Sequence, residues 1–156
     1  MKAFKYLVLF TALLFVGPVF AASPMYKPFV LASVSETGLD EQVKATVSAL
    51  EQAGFSIVGR YSPLENSVVL VATSDSLKEI AAQSDRGGYA AGQRVSVTAR
   101  DTGTEVAFVD PLYLQYAYRL DAEMGPVREA LTDALGYVEN YGSEDGLKTK
   151  KLLKYN

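Results

Sequence analysis

Apolar positions in this chain follow two periods in alternation, and the switches between them mark out the elements. Phe29 to Val34 is a continuous β-rich apolar run, which predicts a strand. Leu39, Val43, Val47, Leu50 and Ala53 then recur at spacings of three and four, which predicts an amphipathic helix. Thr37, three residues before Asp40, reads as a loose capping box at its start, and Gly54 as its C-terminal stop. Glu41, Lys44 and Glu51 form its solvated side.

Between Phe55 and Ser62 the period changes to two, with Phe55, Ile57 and Tyr61 set against Ser56 and Arg60, the pattern of a half-buried strand. Pro63-Leu64-Glu65-Asn66 supplies a turn, and Ser67 to Thr73 is apolar on both sides, which places it inside a sheet. A short helix is predicted from Asp75 to Gln83, capped by Ser74 and burying Leu77, Ile80 and Ala81. A loop runs from Ser84 to Gln93. Arg94–Arg100 and Thr104–Val109 then form a hairpin across Asp101-Thr102-Gly103, where glycine admits positive φ.

Asp110-Pro111 is a helix entrance, the Asp as cap and the Pro at the first helical position, and it leads into an aromatic-rich helix from Leu112 to Leu120. Gly125-Pro126 starts another helix, with Val127, Ala130, Leu131, Ala134 and Leu135 at helical spacing as far as Gly136. Val138 to Gly142 reads as a connection. From Gly146 lysines surround Leu147, Leu152 and Leu153, which suggests a short amphipathic helix. Hairpin-like strand pairs outnumber βαβ crossovers, so the fold class is α+β: one mostly antiparallel sheet of about five strands with helices packed on one face.

The N-terminus carries a different pattern. Lys2 and Lys5 precede an apolar run from Leu7 to Val16, Gly17-Pro18 breaks it, and Val19-Phe20-Ala21 suits a signal peptidase. A span of roughly 30 Å needs about 20 apolar residues, so the run is read as a cleaved export signal over residues 1–21 and not as an anchor. A leader at 22–28, a single α+β domain at 29–136 and a Lys-rich extension at 137–156 complete the expected organisation. The expected compartment is the periplasm or the exterior.

Composition narrows the chemistry. The 156 residues carry 15 basic and 18 acidic side chains, a net charge of −3 that argues against nucleic acid as a partner. There is no cysteine, so the fold relies on its core without disulfides. There is also no histidine, which removes Ser-His-Asp and Cys-His nucleophile systems, ordinary zinc sites and His- or Cys-ligated haem. No EF-hand spacing, Gly-x-Ser-x-Gly elbow or Ser-x-x-Lys pair occurs, and no cofactor or metal is called for.

Three stretches taken together resemble a known family. They are the helix end Gln52-Ala53-Gly54-Phe55, the run Val106-Ala107-Phe108-Val109-Asp110-Pro111, and the helix from Gly125 to Gly136. In this order and spacing they resemble the domain-of-unknown-function family 302, small α+β domains related in shape to the TATA-binding-protein fold. The resemblance spans about Phe29 to Gly136. It implies a fold and no reaction, so no catalytic residue is carried over. The exported form with its Lys-rich tail is similar to a secreted subgroup, in which sequence would continue past Tyr155; a truncated C-terminus is therefore expected.

The candidate site is the segment from Asp85 to Arg94. Gly87 and Gly88 let backbone approach a ligand, Arg86 and Arg94 suit bidentate contact with an anion, and Tyr89 offers an apolar lid. Tyr113 and Tyr116, three apart on one helix, offer a pocket wall or an interface, while Tyr118 points elsewhere. The expected function is an exported binding or interaction module for a small anion or an envelope protein, self-associated as a homodimer. The alternative is an enzyme of unrecognised type that uses carboxylate, Lys or Tyr chemistry.

Overall fold

The computed structural model describes residues 24–154, and the export signal expected over residues 1–21 lies outside them. In chain order the elements are β1 (Met25–Tyr26), β2 (Phe29–Ser35), α1 (Leu39–Gln52), β3 (Ser56–Leu64), β4 (Ser67–Thr73) and α2 (Asp75–Ala82). A 3₁₀ turn (Gly87–Ala90), β5 (Gln93–Arg100), β6 (Gly103–Val109), α3 (Pro111–Tyr118) and α4 (Gly125–Leu135) follow, then β7 (Glu139–Tyr141), β8 (Leu147–Lys148) and α5 (Thr149–Leu152). Six strands make one antiparallel sheet in the order β3-β4-β5-β6-β2-β7, and β1 pairs with β8 in a small second sheet.

Strand alternation divides the large sheet into two unlike faces. Val30, Leu70, Val95, Val97 and Phe108 point to one side and are fully buried against Val43 and Leu50 of α1, Leu77 of α2 and Leu131 of α4. α1 links β2 to the far-edge strand β3, so it crosses beneath the sheet and packs on β3, β4, β5 and β6. The other side carries no helix of this core. Phe29, Tyr61 and Tyr141 remain 39%, 51% and 38% exposed.

Ser74 and Gly54 act at the helix ends as their local chemistry requires, and Thr37 does not. Ser74 Oγ accepts from the Leu77 N–H at 3.2 Å, as expected of a cap. Gly54 stops α1 at φ +85°, while Phe55 N–H reaches back to the Leu50 carbonyl at 2.9 Å. The Thr37 capping box does not form. Gly38 occupies the cap position without a side-chain bond, and the Thr37 carbonyl is taken by the Thr104 hydroxyl at 2.6 Å.

Several expectations change in the folded chain. In β3 the phase runs Phe55, Ile57, then a bulge at Val58, after which Gly59 pairs with Val71 and Tyr61 with Val69. The extra residue inverts the alternation, so Tyr61 lies on the uncovered face and not beside Ile57 in the core. The supposed connection at 138–142 contains β7, which pairs with β2 through Phe29–Tyr141 and Val30–Asn140 and raises the sheet to six strands. Residues after 136 are thus part of the sheet. The segment read as a leader likewise holds β1, fixed by β8, and the helix expected near the C-terminus is a single turn, α5, with Leu152 fully buried.

Asp110 joins these parts. It closes β6 through its N–H to the Pro28 carbonyl at 2.9 Å, and its carboxylate caps α3 at the Leu112 N–H, 2.9 Å. The same carboxylate accepts from Arg128 Nε of α4 at 3.2 Å and from Asn140 Nδ2 of β7 at 2.7 Å, with its side chain only 3% exposed. α3 is held from its outer side as well: the Tyr116 ring lies 4.8 Å from that of Tyr26 on β1, and their hydroxyls are 3.4 Å apart.

Two predictions follow from these contacts. Asp110→Ala strands Arg128 and uncaps α3, so urea unfolding should show a loss of about 3 kcal/mol. Asp75→Ala, at the exposed Lys78 pair, should lose under about 1 kcal/mol. A cost at Asp110 no larger than at Asp75 would remove it from this central role. Burial, with help from the Tyr116 hydroxyl, raises the Tyr26 phenol from 10.0 to about 12. A phenol raised on folding leaves stability intact below about pH 10 and withdraws it as pH climbs toward 12, because the unfolded chain ionises first. Tyr26→Phe should therefore lose less melting temperature than wild type across that window.

Candidate functional site

The segment from Ser84 to Gln93 is built, not loose. Gly87 is buried where any Cβ would overlap the Ala81 carbonyl of α2, so only glycine lets the 3₁₀ turn sit against that helix. Ala90 is fully buried, its carbonyl accepts from Gln93 Nε2 at 2.9 Å, and the Thr73 hydroxyl donates to the Ala91 carbonyl at 2.7 Å. Ser84 Oγ accepts from the Asp121 N–H at 2.8 Å, tying the turn to the link between α3 and α4. Arg86 and Tyr89 consequently project from a fixed frame.

That frame faces α3 across a cleft of about 650 Å³, within the range of small-molecule sites. Arg86 and Tyr89 stand on the turn side, Arg94 on β5, and Tyr113 and Tyr118 on α3, with Phe29 and Val109 reaching in from the sheet. Tyr89 is 71% exposed and stacks on Tyr118, ring centroids 5.2 Å apart at 18°. Neither Arg86 nor Arg94 makes a hydrogen bond or ion pair among the described residues. Two unpaired guanidiniums beside aromatic rings provide a place for an anion with an apolar body.

Of the residues singled out from sequence, Arg86, Tyr89, Arg94 and Tyr113 meet in this cleft. Gly87 shapes the turn from behind, and Gly88 faces open space. Tyr116 is a correction: it does not share the site with Tyr113 but packs on Tyr26. The cleft takes the strip of α3 formed by Tyr113, Leu114, Ala117 and Tyr118, and Tyr116 lies outside that strip. Sequence reasoning also missed Phe29 and Val109. Their signal was their phase, one residue out of step with the core-facing Val30 and Phe108.

The cleft lining among the described residues contains no carboxylate and no lysine. Among the described residues no group of three or more acidic side chains is placed to hold a metal ion, and no helix is long and apolar enough to cross a membrane. On the uncovered sheet face the Tyr141 phenol is raised, chiefly by burial and then by the nearby Glu105 charge.

No protein-family model matches the chain, and no curated protein matches it. Among solved structures it is similar to the crystal structure of an uncharacterized conserved protein, DUF302, from Bacillus stearothermophilus. The TM-score is 0.60 at 16% sequence identity, and the match covers 72% of this chain and 97% of that one. The chain has the DUF302-like α+β fold that its three short stretches resemble. At this identity the likeness concerns the fold alone.

The glycine pair yields a sharp test. Gly87→Ala forces the 3₁₀ turn off α2 and should cost about 1–3 kcal/mol in thermal or urea unfolding. Gly88→Ala meets nothing within 4 Å and should fall within about 0.5 kcal/mol of wild type. Equal effects at the two positions would contradict the fixed-frame geometry.

Proposed function

We propose that this protein is an exported binding module whose α3 cleft receives a small anionic ligand or the acidic segment of a partner. Arg86 and Arg94 grip the anion from two sides, and Tyr89, stacked on Tyr118, closes over its apolar part. The observation that carries this reading is the pair of unpaired guanidiniums on the rim of one aromatic cleft. A partly buried arginine ordinarily serves a structural carboxylate, as Arg128 does for Asp110; Arg86 and Arg94 are exposed and serve none among the described residues. Catalysis is the weaker reading, because the described residues of the cleft offer arginine and tyrosine and, among them, neither a carboxylate nor a lysine as a general base.

Arg86→Ala with Arg94→Ala should weaken binding of anions found by thermal-shift screening at least about tenfold, since charge-assisted contacts are the strong ones. The melting temperature of the free protein should stay unchanged, because exposed charges contribute little to a core of Val, Leu and Phe. Binding that survives the double substitution defeats the proposal. Export is checked separately by intact mass: protein recovered from the native envelope should begin near Ala22, and a chain retaining Met1 to Phe20 refutes it.

A further inference from the structure

The cleft does not end at Phe29. A second depression of about 380 Å³ opens on the sheet face that carries no core helix, and it shares Phe29, Arg94 and Val109 with the first. Its floor is made by adjacent small side chains, Ser96 on β5 and Ala107 on β6, which are register partners. Its walls are the Tyr61 ring on β3 and the Tyr141 ring on β7. The Ser96 hydroxyl donates to the Ala107 carbonyl at 3.3 Å, so it asks nothing of a ligand. The two wall strands are the edges of the sheet, five strand spacings or about 24 Å apart at the backbone, which makes this a trough and not a round pocket.

We infer that the ligand is a single-chain carboxylate with an extended acyl tail, its head on Arg86 and Arg94 and its tail laid over Ser96 and Ala107 between the Tyr61 and Tyr141 rings. The inference rests on the anion-binding reading of the α3 cleft and names its ligand class. Charge decides the occupant: Arg94 stands at the junction of the two depressions, so a ligand that uses both must be anionic where they meet and apolar beyond it. A neutral chain leaves both guanidiniums unpaired, and a compact anion leaves exposed the aromatic surface of Phe29, Tyr61 and Tyr141.

The test is a titration of the purified protein with straight-chain carboxylates of about four to about sixteen carbons, below their micelle concentrations, where each buried methylene is expected to tighten binding about two- to fourfold. Benzoate serves as the compact control, and the alcohol of each chain length as the neutral one. Affinity should rise with chain length, fall at least about tenfold on Arg94→Ala, and be weaker for the alcohols by a similar factor. Tyr61→Ser, a neutral change at an exposed position, should remove the chain-length gain while benzoate keeps its dependence on Arg94. Arginine-dependent benzoate binding with no chain-length gain overturns the acyl-tail inference and leaves the cleft reading standing. No arginine-dependent binding of any anion overturns both. Light scattering that shows a dimer split by Tyr61→Glu also overturns the inference, because the trough is then the interface between two copies.

Discussion

The structure turns on the buried carboxylate of Asp110. A carboxylate this poorly exposed is unfavourable unless its lone pairs are met, and here they are met from three directions: the α3 N-terminus, Arg128 of α4 and Asn140 of β7. Each partner belongs to a different element, so satisfying one charge fixes three elements against the end of β6. Arg128 lies 5.6 Å from the Tyr137 ring, and the Tyr137 hydroxyl donates to Asn140 Oδ1 at 2.9 Å, which extends the network into the α4–β7 link. A short strand such as β7 has few ladder bonds of its own. Its attachment depends on this network.

The same anchoring creates the cleft. With α3 tied to Asp110 at its start and to Tyr26 on its outer side, its Tyr113–Tyr118 strip is held open toward the 3₁₀ turn. The turn is held by Gly87 against α2 and by Gln93 from β5. Two rigid supports therefore face each other over a gap that neither fills. On the proposed reading, such a cleft would be formed before a ligand arrives, and little ordering entropy would be spent on binding.

Much of the fold was legible because its signals are local. The β-rich run at Phe29, the helical spacing from Leu39 to Ala53, the Ser74 cap and the Asp110-Pro111 entrance each require only neighbouring residues, and each appears in the structure. Thr37 shows the limit. Its spacing to Asp40 suits a cap, yet Gly38 occupies the cap position and the Thr37 carbonyl is used by Thr104, sixty-seven residues away in sequence. The lining of the candidate cleft was legible in part for the same reason: the two arginines and Tyr89 lie close together in the chain, whereas Phe29 and Val109 reach the cleft only through strand pairing.

The sequence by itself determined the types of the longer elements from β2 to α4, the α+β class and the absence of thiol and imidazole chemistry, since periodicity, capping and composition are properties of neighbouring residues or of none. Tertiary structure decided which face each ring took. The bulge at Val58 inverted the phase of Tyr61, β1 drew Tyr116 away from Tyr113, and Asn140 brought β7 into the sheet. A period of two states that side chains alternate, but the parity beyond a bulge and the partner across a gap depend on strands and charges far along the chain, which become neighbours only when it folds.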